Sequence, residues 1–215
     1  MRNCVLITGA TGGLGKAFVE ECAYLGYDLV LSATKQARLD KLKAEIRSKF
    51  NVNVWTKEAD LSDEKSRAEL FGFLKSNTIE VNMLINNAGY IFEGSFLGCE
   101  REEIMKAIQV NVVGTMDLTY RFLSSRNENR RNYVLFVSSL AGFNSMPQMA
   151  TYASTKAYLT NFAIALREEL KDKDVFVTAV CPGGMATNDA MKESLKAQGL
   201  SGKLSALPVS KVAKI

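Results

Sequence analysis

Histidine is absent from this chain of 215 residues. Without an imidazole, the chain cannot form a Ser-His-Asp or Cys-His catalytic set or a histidine-ligated metal site, and we expect no bound metal. The four cysteines include no C-x-x-C pair, so the pattern favours free, buried thiols of a reducing compartment over a disulfide framework.

Long apolar runs are absent as well. No stretch approaches the roughly 18 apolar residues of a membrane-spanning helix, and the N-terminus reaches glycines too soon for a signal-peptide core. Lys and Arg total 27 and Asp and Glu total 23, a net charge of +4, without a block of like charges. The sequence therefore predicts a cytoplasmic protein with no membrane and no nucleic-acid partner.

Short β-branched runs alternate with segments that carry apolar residues at helical spacing, such as Phe18, Cys22 and Leu25. Strands that are apolar on both faces and separated by helices indicate a parallel sheet covered on each side. We therefore expect a three-layer, doubly wound α/β fold forming one domain over residues 1–215, with ligands beyond the carboxyl ends of the strands. The predicted strands are Cys4–Thr8, Asp28–Ala33, Val52–Thr56, Val81–Asn86, Tyr133–Ser138 and Val175–Cys181.

A glycine-rich turn follows the first predicted strand and leads into a helix. Glycines let the backbone turn tightly and approach a ligand, and the helix N-terminus offers free N–H groups to an anion. Its position after a first strand favours a pyrophosphate-binding loop over an ordinary strand-to-helix turn. The candidate residues are Thr8, Gly9, Thr11, Gly12, Gly13, Leu14 and Gly15.

The second predicted strand ends at Thr34 and Lys35, without the acidic residue that often holds an adenosine ribose 2′-hydroxyl. Lys35, with Arg38 nearby, would instead neutralise a 2′-phosphate, although both are equally typical of solvated charges at a helix start. This favours NADP(H) over NAD(H). Asp60 and Leu61 follow the third strand and could contact the adenine, although this segment also suits a helix N-cap.

Tyr152 and Lys156 are four residues apart in a helical pattern and share one face of the helix. A phenol has a pKa of about 10, and an adjacent ammonium together with an oxidised nicotinamide would lower it. Taken alone, the pair could equally be an ordinary surface pair. Ser139 ends the fifth predicted strand and could hydrogen-bond a substrate carbonyl or simply satisfy the backbone. Asn111, within an apolar helical pattern, could hold a water linking Lys156 to solvent or cap a kink.

Together these motifs resemble those of the short-chain dehydrogenases/reductases of the compact, single-domain type. Residues 8–15 resemble the family's cofactor turn, and Asn86-Asn87-Ala88-Gly89 resembles its strand-four signature. Pro182-Gly183-x-x-x-Thr187 resembles the turn that orients the nicotinamide carboxamide, so the resemblance extends to about residue 187. The glycines also fit the spacing of the extended, two-domain branch, but the other two motifs and the short chain argue against that branch.

The resemblance implies a Rossmann fold and assigns roles to individual residues. Tyr152 would donate or accept the proton, Lys156 would lower its pKa and bind the nicotinamide ribose, Ser139 would position the carbonyl, and Asn111 would keep a relay water in place. The remaining residues that it implies for the cofactor are Asn87, Ala88, Gly89, Pro182, Gly183 and Thr187.

The end of the chain differs from the usual family pattern. Residues 188–207 resemble the mobile substrate loop, but the sequence stops at the start of a helix, before the seventh strand that often contributes to subunit contacts. Either the sequence stops short of this strand or the protein lacks it, as we expect from the residues present, and a homo-oligomer, dimer or tetramer, is left open.

These observations predict an oxidoreductase that transfers a hydride between a nicotinamide cofactor and a small carbonyl or alcohol substrate. A non-catalytic dinucleotide sensor and an isomerase or epimerase on the same fold are the alternatives. Apolar residues near the predicted strand ends favour an uncharged or weakly polar substrate, although each is equally typical of core or surface positions. They are Tyr90, Phe143, Met146, Met149, Met185 and Met191.

Overall fold

A computed structural model describes residues 2–184 and 208–214. Within these ranges, six strands form one sheet: β1 Cys4–Thr8, β2 Asp28–Ala33, β3 Val54–Glu58, β4 Met83–Asn86, β5 Asn132–Val137 and β6 Val175–Val180. The helices are α1 Gly13–Tyr24, α2 Gln36–Lys49, α3 Glu64–Ser76, α4 Arg101–Ile108, α5 Thr115–Ser125, α6 Ala150–Leu170 and α7 Val209–Val212. A π-helical turn, Gln109–Gly114, joins α4 to α5.

The strand order is β3-β2-β1-β4-β5-β6, and every neighbouring pair is parallel. The chain builds outward from β1 in one direction and then, from β4, in the other. Parallel sheets of this kind bind ligands where the order reverses, beyond the carboxyl ends of β1 and β4. The predicted doubly wound fold is confirmed.

Both faces of the sheet are covered, as the apolar strands require. On one face, Phe18 of α1 and Leu39 of α2 pack in a cluster that also includes Val212 of α7. On the other face, Leu118 of α5 and Leu159 of α6 pack in the second cluster, together with residues of α3. The burial of apolar groups on both sides is the main force that holds the three layers together.

Two predicted strands start too early. The strand predicted from Val52 begins at Val54, because the side chain of Asp28 accepts hydrogen bonds from the backbone and side-chain nitrogens of Asn53, at 2.9 and 3.1 Å. The strand predicted from Val81 begins at Met83, because Oδ1 of the preceding Asn82 accepts the Cys4 N–H at 2.8 Å. In both places a side chain replaces a ladder partner.

The last two strands also differ slightly from their predicted bounds. β5 begins one residue earlier and ends at Val137, which leaves Ser138 outside it, and β6 ends at Val180, before Cys181. All four cysteines are free thiols. Within the described ranges, none of the helices has the length and apolar character that crossing a bilayer requires.

Candidate active site

The glycine-rich turn between β1 and α1 is built so that only glycine fits at two positions. Gly9 has a φ of +61°, in the left-handed region, and a Cβ there would lie 2.9 Å from the Ala88 Cα. A Cβ on Gly15 would lie 2.2 Å from the Gly9 carbonyl oxygen. The first turn of α1 therefore packs directly on the loop, as a surface that must approach a ligand closely requires.

The N-terminus of α1 has the properties of an anion site. The helix starts at Gly13, its N-cap Gly12 has no side chain to cap it, and no acidic residue lies in the first turn. The first backbone N–H groups of a helix have no intrahelical partner, and its dipole places positive charge there. A pyrophosphate bridging two nucleotides fits this cradle, so these residues would hold a dinucleotide.

Thr8 and Asn87 fasten the turn to the end of β4. The Asn87 side-chain nitrogen donates to the carbonyl oxygens of Thr8 and Gly9, at 2.9 and 3.1 Å. The Thr8 hydroxyl accepts the N–H groups of Asn87 and Ala88, at 3.1 and 3.0 Å. Thr8 is buried, so it supports the turn from beneath.

A crevice of about 560 Å³ lies beyond the carboxyl ends of β1 and β4. Sequence reasoning missed part of its wall, including Ala59, Lys106 and Val110, because these residues belong to no recognised motif. The structure brings together most of the predicted cofactor residues in its lining: Thr8, Gly9, Thr11, Gly12, Gly13, Leu14, Gly15, Thr34, Asp60, Leu61, Asn87, Ala88 and Gly89.

Asp60 does not cap the helix that follows it. Asp63 is the N-cap of α3, because its carboxylate accepts the Lys65 and Ser66 N–H groups at 3.2 and 3.1 Å. Asp60 instead accepts both the N–H and the hydroxyl of Ser62, at 2.9 and 2.7 Å, and stays exposed at the crevice wall. The helix cap predicted for this segment is therefore Asp63, whereas Asp60 remains the candidate for contact with a ligand.

Lys35 and Arg38 are exposed and do not line the crevice itself. Lys35 is the N-cap residue of α2, and the Glu58 carboxylate at the end of β3 accepts the next N–H, that of Gln36, at 2.9 Å. Sequence reasoning missed Glu58 because β3 was predicted to end at Thr56. A carboxylate therefore lies at the start of α2, the segment whose two cations were predicted to meet a 2′-phosphate.

Lys156 is buried in the floor of the site, with only 4% of its surface exposed. Its Nζ donates to the Val137 carbonyl oxygen at 2.7 Å and lies 5.7 Å from the centre of the Tyr152 ring. Burial lowers the pKa of Lys156 to about 8, and the nearby Cys181 opposes this shift. A Cβ on Gly89, in the crevice lining, would lie 3.6 Å from the same Nζ. Gly89 of the crevice lining is therefore a direct neighbour of Lys156.

The pKa of Tyr152 in the chain alone depends on burial and on Ser139, and the lowering expected from the ammonium together with an oxidised nicotinamide stays a prediction. Burial of the phenol raises its pKa, and the Ser139 hydroxyl beside it lowers the pKa by a smaller amount. Lys156 Nζ lies over the ring and donates to a backbone carbonyl. The phenol of Tyr152 therefore stays protonated at neutral pH.

The two serines at the end of β5 have different environments. The Ser138 hydroxyl is buried and bonded to the Lys156 carbonyl oxygen and the Thr160 hydroxyl, both at 2.8 Å. Ser139 is half-buried, begins the short 3₁₀ turn Leu140–Gly142 and accepts the Ala141 N–H at 3.1 Å. Ser138 is thus part of the support of α6, whereas Ser139 is placed beside the Tyr152 phenol.

Asn111 lies in the π-helical turn, not in the regular helix that its neighbours predict. Its Oδ1 accepts the Tyr90 N–H at 2.7 Å, and its Nδ2 donates to the Tyr90 carbonyl and to the Thr155 hydroxyl, at 2.9 and 3.0 Å. Both polar atoms of the side chain are therefore hydrogen-bonded to protein groups, and Asn111 fixes the loop after β4 to α6. The π-helical turn allows this because it shifts the side chain out of helical register.

The candidate pocket residues do not form one wall. Tyr90 lines the crevice and its hydroxyl donates to the Glu103 carboxylate, whereas Phe143 and Met146 line a separate groove on another face of α6. Met149 precedes α6 as its N-cap. Pro182 is buried at the end of β6, where its carbonyl accepts the Leu140 N–H at 3.0 Å, and Gly183 follows it half-buried. Thr187, Met185, Met191 and the loop 188–207 lie outside the described residues.

Comparison with known proteins identifies the family. The profile of the family described as short chain dehydrogenase matches residues 3–198. The chain belongs to the short-chain dehydrogenase family. This confirms the membership predicted from the motifs.

Several members of this family are similar over most of the chain. The very-long-chain 3-oxoacyl-CoA reductase of Mus musculus is 32% identical over 188 residues, which cover 85% of this chain and 59% of the relative. The enzyme of the same name from Laccaria bicolor is 33% identical over 176 residues, which cover 80% of this chain and 52% of the relative. This short-chain dehydrogenase therefore spans between half and three-fifths of the length of these relatives.

Solved structures of short-chain dehydrogenases have the same fold. The short-chain dehydrogenase of Sphingobium yanoikuyae, solved in complex with NADPH, is 29% identical with a TM-score of 0.83, and the match covers 98% of this chain and 81% of that one. The bulky-bulky ketone specific alcohol dehydrogenase of Comamonas testosteroni is 26% identical with a TM-score of 0.81, over 96% and 86% of the two chains.

Proposed function

We propose that this chain binds NADP(H) in the crevice and transfers a hydride between the nicotinamide and the carbonyl carbon of its substrate. The bound dinucleotide supplies the hydride chemistry. The observation that carries the proposal is that Gly89, which lines the same crevice as the glycine-rich turn, lies next to Lys156, whose Nζ is 3.6 Å from the Cβ position of Gly89. A ligand seated on the turn can therefore extend to the groups that handle the proton.

Tyr152 is the proton donor in reduction and the acceptor in oxidation. Burial raises the pKa of its phenol, which keeps the donor protonated at neutral pH. Ser139 lies beside this phenol, so one carbonyl oxygen can accept hydrogen bonds from both hydroxyls and receive the proton from Tyr152. Lys156, held by the Val137 carbonyl, orients the ribose of the nicotinamide half.

The proposed preference for NADP(H) rests on charge. Lys35 and Arg38 are exposed at the start of α2, and β2 ends without an acidic residue. The NADPH complex of the Sphingobium yanoikuyae relative supports the same choice. Glu58 acts against it, because its carboxylate lies at the Gln36 N–H next to Lys35. We therefore expect a preference that is modest and that responds to these charges.

The proposed substrate carries its carbonyl on an apolar chain. Exposed apolar side chains follow β4 and β5, at the edge of the sheet where Tyr152 lies: Ile91, Phe96, Leu97 and Leu140. The curated relatives are named as reductases of very-long-chain 3-oxoacyl-CoA. A 3-oxoacyl thioester is therefore the first substrate class to test.

The test is NADPH oxidation with 3-oxoacyl-CoA thioesters of increasing chain length, by the wild type and by Tyr152→Phe. We expect turnover to fall by about 10²–10⁴-fold in the variant, the size of a general acid–base contribution, with NADPH affinity nearly unchanged. Tyr158→Phe is the matched control, because Tyr158 lies on the same helix and stacks on Phe162. Full activity of Tyr152→Phe would refute the assignment.

A further inference from the structure

Arg67 is a buried cation outside the groups discussed so far. It lies on α3 with 4% of its surface exposed, and its guanidinium makes two separate contacts. Nε donates to Asp117 Oδ2 of α5 at 2.7 Å, and Nη1 donates to the Leu61 carbonyl oxygen at 2.8 Å. Asp117 also accepts Arg121 Nε at 2.9 Å. Through these two hydrogen bonds, Arg67 links α3 and α5 to the backbone carbonyl of Leu61.

That carbonyl belongs to the crevice wall. Leu61 lines the crevice beside Asp60 and follows β3. The first turn of α3 holds this wall twice, since Ser66 Oγ accepts the Asp60 N–H at 2.9 Å and Arg67 donates to Leu61. On its other side, the Leu61 carbonyl oxygen lies 2.5 Å from the Cβ position of Gly114, so the π-helical turn packs against it.

The position of this wall in the sheet decides which part of a dinucleotide it would face. In a doubly wound sheet the two mononucleotide halves bind on either side of the reversal point. β3 and β2 lie on one side of β1, and β4 and β5, which lead to Ser139 and Lys156, lie on the other. Leu61 is therefore on the adenosine side.

We propose that Arg67 is a positioning residue for the adenosine half of the dinucleotide. Anchored by Asp117, it holds the Leu61 carbonyl and so fixes the wall on which the adenosine rests. This proposal depends on the proposed function, because it assumes that the crevice binds a dinucleotide. Lysine cannot replace Arg67, because a single ammonium lacks the fork that reaches both acceptors in fixed directions.

The experiment compares the wild type with Arg67→Met in the full chain. Calorimetry measures the dissociation constants of NADPH and of adenosine 2′,5′-bisphosphate, and kinetics measures turnover with reduced nicotinamide mononucleotide, which lacks the adenosine half. We expect the two adenosine ligands to bind about tenfold more weakly, the effect of losing a buried hydrogen bond to the wall. Turnover with the mononucleotide and kcat with saturating NADPH stay within about twofold of the wild type.

Arg121→Met is the matched control, because it removes the other hydrogen-bond partner of the Asp117 carboxylate and leaves both contacts of Arg67 in place. It should keep wild-type affinity for both adenosine ligands. If Arg67→Met does not fold, Asp117→Asn carries the same test, because it removes the charge that anchors the guanidinium. Here too we expect weaker adenosine binding than in Arg121→Met.

The outcomes separate the two proposals. If the wild type binds no dinucleotide, the proposed function fails. If the wild type binds NADPH and the folded Arg67→Met or Asp117→Asn variant matches Arg121→Met, the positioning role is overturned. An equal loss with the adenosine ligands and with the mononucleotide also overturns it, because that would mean a general loosening of the site.

Discussion

The charge of Lys156 is held against a large burial penalty, and its removal should stabilise the protein. The pKa of this lysine falls from 10.5 to about 8, with burial as the largest cause. The folded state therefore disfavours the ammonium that the unfolded state carries freely at neutral pH. We predict that Lys156→Met, which keeps an unbranched side chain of similar length, unfolds less readily at pH 7 while losing activity.

The magnitude follows from the pKa. A fall of about 2.5 pKa units corresponds to roughly 3 kcal/mol, at about 1.4 kcal/mol per unit. Methionine also forfeits the hydrogen bond to the Val137 carbonyl, which is worth about 1 kcal/mol. The net gain is then about 2 kcal/mol in the free energy of unfolding at pH 7, or about 4–8 °C in Tm for a chain of this length.

The pH dependence gives the sign of the effect. Because the pKa of Lys156 is lower in the folded state, its charge destabilises the fold fully below pH 8 and not at all above the unfolded pKa of 10.5. The free energy of unfolding of the wild type should therefore rise between these two pH values. Urea unfolding at pH 7 and pH 9.5 should therefore show a larger gain for Lys156→Met at pH 7. Lys173→Met, at an exposed lysine, is the control and should change little at either pH. A variant less stable than the wild type at pH 7 would refute the reasoning.

Three further predictions concern the crevice and the proton. Gly15→Ala should weaken NADPH binding at least about tenfold in calorimetry, because a Cβ at 2.2 Å from a carbonyl oxygen must shift the turn. Gly12→Ala, whose Cβ would lie 3.4 Å from the nearest atom, should bind NADPH nearly normally, and equal affinities of the two variants would contradict the packing argument. Glu58→Gln should raise the ratio of NADPH affinity to NADH affinity about two- to fivefold, and Lys35→Glu should lower it, as expected for exposed charges. If neither substitution changed this ratio, the two residues would have no part in the choice of cofactor. The kcat/KM of reduction should fall above pH 8 as the Lys156 ammonium is lost, and a profile that stays flat to pH 10 would contradict the pKa given by burial.

The architecture could be predicted because it depends on local patterns. A run such as Leu29–Leu31, apolar on both faces, indicates a strand of a parallel sheet wherever it occurs, and the glycines after β1 mark the turn from strand to helix. Strand ends were less predictable where a side chain from elsewhere takes over a backbone partner. Asp28 does this for Asn53, and Asn82 for Cys4, across 25 and 78 residues of sequence.

The environment of the site was less predictable than its residues. That Asn111 would bond Tyr90 and Thr155 depends on a π-helical turn, and no propensity in the sequence specifies one. The place of Glu58 beside Lys35 follows from the pairing of β2 with β3 and from the length of β3. Contacts of this kind are created by tertiary packing, so a sequence pattern can suggest the residue type but not the partner.

The same uncertainty applies to the electrostatics of Tyr152 and Lys156. A spacing of four residues suggests that an ammonium stabilises a phenolate, but burial acts on both groups and disfavours both charged forms. It raises the pKa of the phenol and lowers that of the ammonium to about 8, so at pH 7 the phenol is protonated and Lys156 still carries most of its charge. A protonated phenol is the form that donates to a carbonyl oxygen as it is reduced. The raised pKa also makes the phenol a weaker acid, so proton transfer in either direction, which passes through the phenolate, requires additional positive charge near Tyr152.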